Sequence, residues 1–146
     1  MKTMSALGVA ALSVATLSGC SALFGGEAQQ FAIGECLTYP EVTEAETEVN
    51  ELPVVDCSEP HDAEVFALAD SALEAFDKDA LFTEAEGYCY GQFESYVGLP
   101  YEESVIYFTT LVPSSDGWDA GDRALICLLV SDVNGDNTGS LKDAGI

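Results

Sequence analysis

Five cysteines, at positions 20, 36, 57, 89 and 127, and one histidine, His61, are the residues of this 146-residue chain best equipped for chemistry. Thiolates and imidazole nitrogens bind zinc and form the nucleophile–base pairs of covalent catalysis. Zinc sites draw on closely spaced cysteines and histidines. Here the cysteines are far apart and no second histidine exists, so the spacing offers no metal site and no cofactor is expected. His61 lies between Pro60 and Asp62. It has two readings: a general base or sensor of envelope pH, as imidazole provides near neutrality, or a structural ring that hydrogen-bonds backbone where the chain enters a strand. The structural reading is preferred, because no serine or cysteine nucleophile pattern such as G-x-S-x-G accompanies it.

Carboxylates are abundant. Glu102 and Glu103, and the run Glu41, Glu44, Glu46, Glu48 and Glu51, have the composition of paired acids for sugar-bond hydrolysis. That reaction needs two carboxyl groups at a set separation in a cleft, one with a raised pKa, and solvated loop carboxylates lack that setting. Asp132-Val133-Asn134-Gly135-Asp136-Asn137-Thr138 resembles the start of a calcium loop, with Asp143 at the closing acidic position. Asn137 stands where the loop needs glycine and a strand precedes it, so a structural turn is expected. Trp118 lies in a turn-rich segment ending at Arg123. Trp and Arg often anchor partners, but here a Trp that caps the core, with Arg123 paired to a neighbouring Asp, is the preferred reading.

The N-terminus sets the compartment in which these residues act. Lys2 gives a cationic start, Ala6 to Leu17 is short and apolar, and Leu17-Ser18-Gly19-Cys20 closes it. This is the pattern of an export signal, and it falls short of the roughly 20 residues a membrane-spanning helix needs. The closing tetrapeptide resembles a bacterial lipobox, in which the cysteine thiol receives diacylglycerol and becomes the first residue. The resemblance implies a signal peptide over 1–19, a lipidated, palmitate-type N-terminus and tether over 20–33, and a single domain over 34–146. Two acyl chains anchor stably, each buried methylene adding about 0.8 kcal/mol. The expected location is therefore the extracytoplasmic face of the cell membrane, held through Cys20.

With Cys20 acylated, Cys36, Cys57, Cys89 and Cys127 remain. An even set in an exported small domain implies disulfides, with three possible connectivities. Cys36–Cys57 with Cys89–Cys127 is favoured, because each pair joins neighbouring segments. The chain carries 26 acidic against 4 basic residues, a net charge of −22. Nucleic acid, whose binding rests on basic side chains, is excluded as a partner, and anionic lipid head groups repel the chain as well. The acidity reads as solubility or salt adaptation, and otherwise as an acidic face for a basic partner.

These residues need a scaffold, and the periodicity supplies one. Gly34 to Thr38 and Pro53 to Cys57 read as short strands, with an acidic loop between them and a turn at Ser58-Glu59-Pro60. From His61 to Asp70 apolar residues alternate in the manner of a strand with one mostly buried face. Phe82, Ala85, Cys89, Phe93 and Tyr96 recur at helical steps over Lys78 to Val97, stopped by Gly98 and Pro100. Val105 to Val112 and Ala124 to Val130 read as central strands covered on both faces. Leu125, Cys127 and Leu129 share one face; if that face packs on the helix, Cys127 meets Cys89. The expected architecture is α+β: a small antiparallel or mixed sheet of about five strands, one main helix on one face, and two disulfides.

The segment Val54-Val55-Asp56-Cys57-Ser58-Glu59-Pro60-His61-Asp62-Ala63-Glu64-Val65-Phe66-Ala67 resembles the opening motif of the septum formation domain family. Cys89 within a helix, Tyr96-Val97-Gly98 with Pro100, Trp118 followed by Gly121-Asp122-Arg123 and Cys127, and the tail Thr138-Gly139-Ser140-Leu141 agree in order. The resemblance implies a role in the envelope at division septa and carries no defined activity. The function expected is a non-catalytic module that binds an envelope or division-site protein, or cell-wall polymer. A cell-wall-processing enzyme using His61 and a calcium-binding envelope domain are the alternatives.

Overall fold

The computed structural model describes residues 29–38, 52–131 and 137–146. The expected signal peptide, Cys20, most of the tether, the acidic loop from Pro40 to Glu51 and the first part of the calcium-like turn, 132–136, lie outside the described residues. Along the described residues the chain forms β1 (Cys36–Leu37), β2 (Val54–Val55), β3 (Ala63–Asp70), α1 (Lys78–Val97), a 3-10 turn (Tyr101–Glu103), β4 (Ile106–Leu111), α2 (Ser115–Asp119) and β5 (Ala124–Ser131). The strands make one antiparallel sheet in the order β2-β1-β3-β5-β4. Helix α1 packs on one face and two disulfides, Cys36–Cys57 and Cys89–Cys127, staple it. The α+β architecture and the favoured pairing are those read from the sequence.

Helix α1 starts at Asp77, whose carboxylate accepts from the Ala80 N–H at 3.0 Å and satisfies one of the free first-turn donors. It ends at Gly98, in the left-handed region at φ 85°, with its N–H on the Glu94 carbonyl. Its buried stripe is Leu81, Ala85, Cys89, Phe93, Tyr96 and Val97. Phe82, expected on that stripe, is half-buried and Leu81 takes its place. The C-terminal tail closes the helix end, with Asp143 N–H on the Tyr96 carbonyl and Gly145 N–H on the Val97 carbonyl. This supplies partners to last-turn carbonyls that otherwise have none.

Both sheet faces are apolar. On the helix side Phe66, Ala67, Cys127, Leu129 and Ile106 meet Cys89, Phe93, Tyr96 and Val97. On the other side Leu37, Ala63, Val65 and Leu128 pack with Leu52. Each large side chain fully buried here contributes about 1.5–3 kcal/mol. The simple alternation expected for β3 does not hold. A bulge between Val65 and Ala67 interrupts pairing with β5, so Phe66 and Ala67 both join the helix-side core. An extra residue in one strand resets which face the following side chains take. As a result Ala63 to Ala67 is buried on both faces.

Two expectations are corrected. Strand β5 is internal, but among the described residues β4 pairs with β5 alone and forms the sheet edge. Tyr107 in β4 and Val105 just before it are 51 % and 67 % exposed, so their β-favouring side chains signalled strand without signalling depth. The turn-rich segment before Arg123 contains helix α2, capped by Ser114, whose hydroxyl accepts from the Gly117 N–H at 3.0 Å. A single helical turn is too short for periodicity to reveal.

Candidate functional site

The polar centre of the molecule lies where β1, the entry to β3, the end of α1 and the C-terminal tail converge. Cys36 and Glu64 are cross-strand partners in the β1–β3 ladder. His61 lies just ahead of β3 and bridges Asn137, its N–H donating to the Asn137 carbonyl at 2.9 Å. All three side chains are sealed: Cys36 and Glu64 are fully buried and His61 is 1 % exposed. One donor atom from each lies within 4.8 Å of the others.

Glu64 is the organiser. Its Oε1 accepts from the Tyr96 hydroxyl at 2.7 Å and the Ser140 hydroxyl at 2.6 Å, and its Oε2 accepts from the Leu141 N–H at 2.6 Å. One carboxylate thus ties β3 to α1 and to the tail, and a buried charge is tolerable only when so engaged. Burial, followed by the hydrogen bond to Glu64 and its charge, pushes the Tyr96 hydroxyl well above the ordinary tyrosine range. The His61 ring places Nδ1 2.9 Å from the Glu59 carbonyl. A carbonyl can only accept, so Nδ1 carries the proton. Nε2, also buried, has no hydrogen-bond partner among the described residues.

Sequence reasoning named His61 and Cys36 for separate reasons and passed over Glu64. Glu64 alternates with apolar neighbours as a solvent-facing residue would, and only the strand pairing reveals its depth. Cys57, half-buried, joins Cys36 through the first disulfide. Cys89 and Cys127, both fully buried, join α1 to β5.

Trp118, in α2, and Arg123, just ahead of β5, lie elsewhere. Trp118 is 6 % exposed and packs with Leu81, Ala85 and Leu125. The Arg123 guanidinium stacks 3.6 Å above its ring, a cation–π contact. Where the sequence reading paired Arg123 with an adjacent Asp, Nη1 donates to the carbonyls of Trp118 at 2.8 Å and Asp122 at 2.6 Å. Glu102, in the exposed 3-10 turn, accepts from the Tyr90 hydroxyl. That bond holds its carboxyl below the ordinary range, the opposite of the raised pKa a sugar-cleaving acid requires. Of the calcium-like turn, Asn137 pairs with His61 and Asp143 adopts a left-handed backbone at φ 55°.

A small α+β domain stapled by two disulfides, with its one histidine enclosed beside a carboxylate, is the class of protein that this fold and cluster define. The chain belongs to the septum formation family, whose model matches residues 33–144. That membership points to the cell envelope and the division site. No curated protein and no solved structure matches the chain.

Proposed function

We propose that the chain is a lipid-anchored, non-catalytic module on the extracytoplasmic face of the cell membrane. There it binds an envelope or division-site protein, or cell-wall polymer, during septum assembly. Family membership supports the setting. The Leu17-Ser18-Gly19-Cys20 sequence supports the anchor, and the two disulfides fit an oxidising space. The observation that carries the non-catalytic reading is the enclosure of His61 and Glu64. At 1 % and 0 % exposure, imidazole and carboxylate hold the fold together where no polymer can reach them. General acid–base catalysis needs the opposite, a group within hydrogen-bond reach of substrate.

The test is complementation in cells depleted of the chain. The wild-type chain, carrying a fluorescent tag, is expected at division septa and restores septation. Cys20→Ala, which cannot be acylated, is expected to leave the membrane fraction and fail to restore it. Full rescue by Cys20→Ala, or purified chain that cleaves cell-wall polymer, would overturn the proposal.

A further inference from the structure

Cys36 Sγ, a ring nitrogen of His61 and a carboxylate oxygen of Glu64 converge within 4.8 Å at full burial. These are a sulfur, a nitrogen and an oxygen, and nothing among them supplies a proton to the space they share. His61 donates Nδ1–H to the Glu59 carbonyl, which in the neutral ring leaves a lone pair on the buried Nε2, without a hydrogen-bond partner among the described residues. Among the described residues Glu64 Oε2 accepts one hydrogen bond, which leaves it a second lone pair. Among the described residues its charge is met by neutral donors, Tyr96, Ser140 and Leu141. Three such ligand atoms within 4.8 Å of one another at full burial, with no donor between them among the described residues, call for a cation. A carbonyl on the far ring nitrogen is also how metal-ligating histidines are usually oriented.

We propose that reduction of the Cys36–Cys57 disulfide opens a buried site for a zinc-class divalent cation, formed by Cys36, His61 Nε2 and Glu64, with Cys57 as fourth ligand. In the disulfide Cys36 is a poor ligand; as a thiolate it completes a mixed sulfur, nitrogen and oxygen set of the kind zinc takes in tetrahedral geometry. The reductant is a dithiol. Its first thiolate attacks the half-exposed Cys57 sulfur, the bond to Cys36 breaks, and Cys36 leaves as thiolate. The second thiol of the reductant then displaces Cys57 and closes its own disulfide. Two electrons and two protons pass to the cysteines, and the protons go to water when the metal binds. Cys89 and Cys127, both at 0 % exposure, are shielded from this exchange. The first disulfide thus acts as a lock: oxidised, it staples β1 to the segment before His61; reduced, it yields a metal centre in the same place.

The test uses the full chain and cobalt(II), whose charge-transfer band reports a thiolate ligand. After treatment with a non-chelating phosphine reductant, wild-type chain is expected to bind one cobalt with that band, and the oxidised chain is expected to show none. Zinc should bleach the band and protect Cys36 and Cys57 from alkylation, read by mass spectrometry. His61→Gln is expected to weaken binding more than about 100-fold, beyond the roughly 10–100-fold loss on removing a group outside the coordination shell. Reduced wild-type chain with no thiolate band, or cobalt held equally by His61→Gln, would overturn the proposal. If His61→Gln does not fold, the alkylation assay on wild-type chain decides, and equal labelling with and without zinc overturns it. A reduced chain that stays unfolded at saturating zinc overturns it too.

Discussion

Replacing Glu64 by Gln is the sharpest perturbation available to the folded core. Gln keeps the shape and one carbonyl oxygen, so Tyr96 and Ser140 can still donate to Oε1. At the Oε2 position an NH₂ group faces the Leu141 N–H, and a 2.6 Å hydrogen bond becomes donor against donor. A hydrogen bond to a charged group is worth about 1.5–3 kcal/mol, and leaving a buried N–H unpaired costs about 1–3 kcal/mol. Easier burial of the neutral amide returns part of this. The net expectation is a loss of about 3 kcal/mol, a large share of the roughly 5–15 kcal/mol that holds such a domain together. Urea unfolding at neutral pH, disulfides intact, reads it through the fluorescence of Trp118, the single tryptophan. With a slope of about 1.5 kcal/mol per molar urea the midpoint falls by about 2 M. Tyr96→Phe alone should cost about 1.5–3 kcal/mol, since it removes a hydrogen bond to the same carboxylate. The double variant should lose less than the two singles added together, since Glu64→Gln already turns the acceptor of the Tyr96 bond from a charged carboxylate into a neutral amide. A Glu64→Gln chain within about 0.5 kcal/mol of wild type, or strict additivity with Tyr96→Phe, would refute the carboxylate's organising role.

Removing Cys89 and Cys127 together, 38 residues apart, should cost about 4 kcal/mol, and removing Cys36 and Cys57, 21 apart, about 3 kcal/mol; denaturation of the paired Ala variants checks the order. Alkaline pH should unfold the chain through Tyr96. Its folded pKa is raised, so from about pH 10 upward the unfolded state sheds a proton that the folded state keeps, and stability falls by about 1.4 kcal/mol per pH unit. Tyr96→Phe should remove that component, seen as a shallower loss of stability than wild type over the same pH range. Arg123→Ala should cost about 1 kcal/mol by stripping the cation from the Trp118 face, with a red shift in emission. Trp118→Ala should cost about 3–5 kcal/mol by opening the core, measured by thermal melting.

Helix α1 was legible because its signals agree: a stripe through Ala85, Cys89, Phe93 and Tyr96, a left-handed Gly98 and a following Pro100. The disulfide pairing was favoured because each pair joins neighbouring segments, and the structure has that pairing. Depth was harder to read. Residues 105–112 are as β-favouring as a central strand, yet β4 lies at the edge, because composition reports strand formation and not which neighbours a strand finds. Glu64 was illegible for a related reason. A charged residue between Ala63 and Val65 looks solvent-facing, and only the β1–β3 register and the tail from Ser140 to Leu141, distant in sequence, turn it into a buried anchor. The bulge at Phe66 adds a shift that no two-residue period contains. Two of the three residues of the polar cluster, Cys36 and His61, were thus visible residue by residue, while its assembly depended on long-range pairing.

The proposed address and the oxidised architecture meet in the covalent state of the native chain, which intact mass spectrometry of protein extracted from membranes reads directly. The expected result is a chain that begins at Cys20, carries acyl chains on that residue, and has its other four cysteines joined as two disulfides. A chain that retains Met1 to Gly19, or one with an unmodified thiol at residue 20 and free sulfhydryls elsewhere, would contradict it.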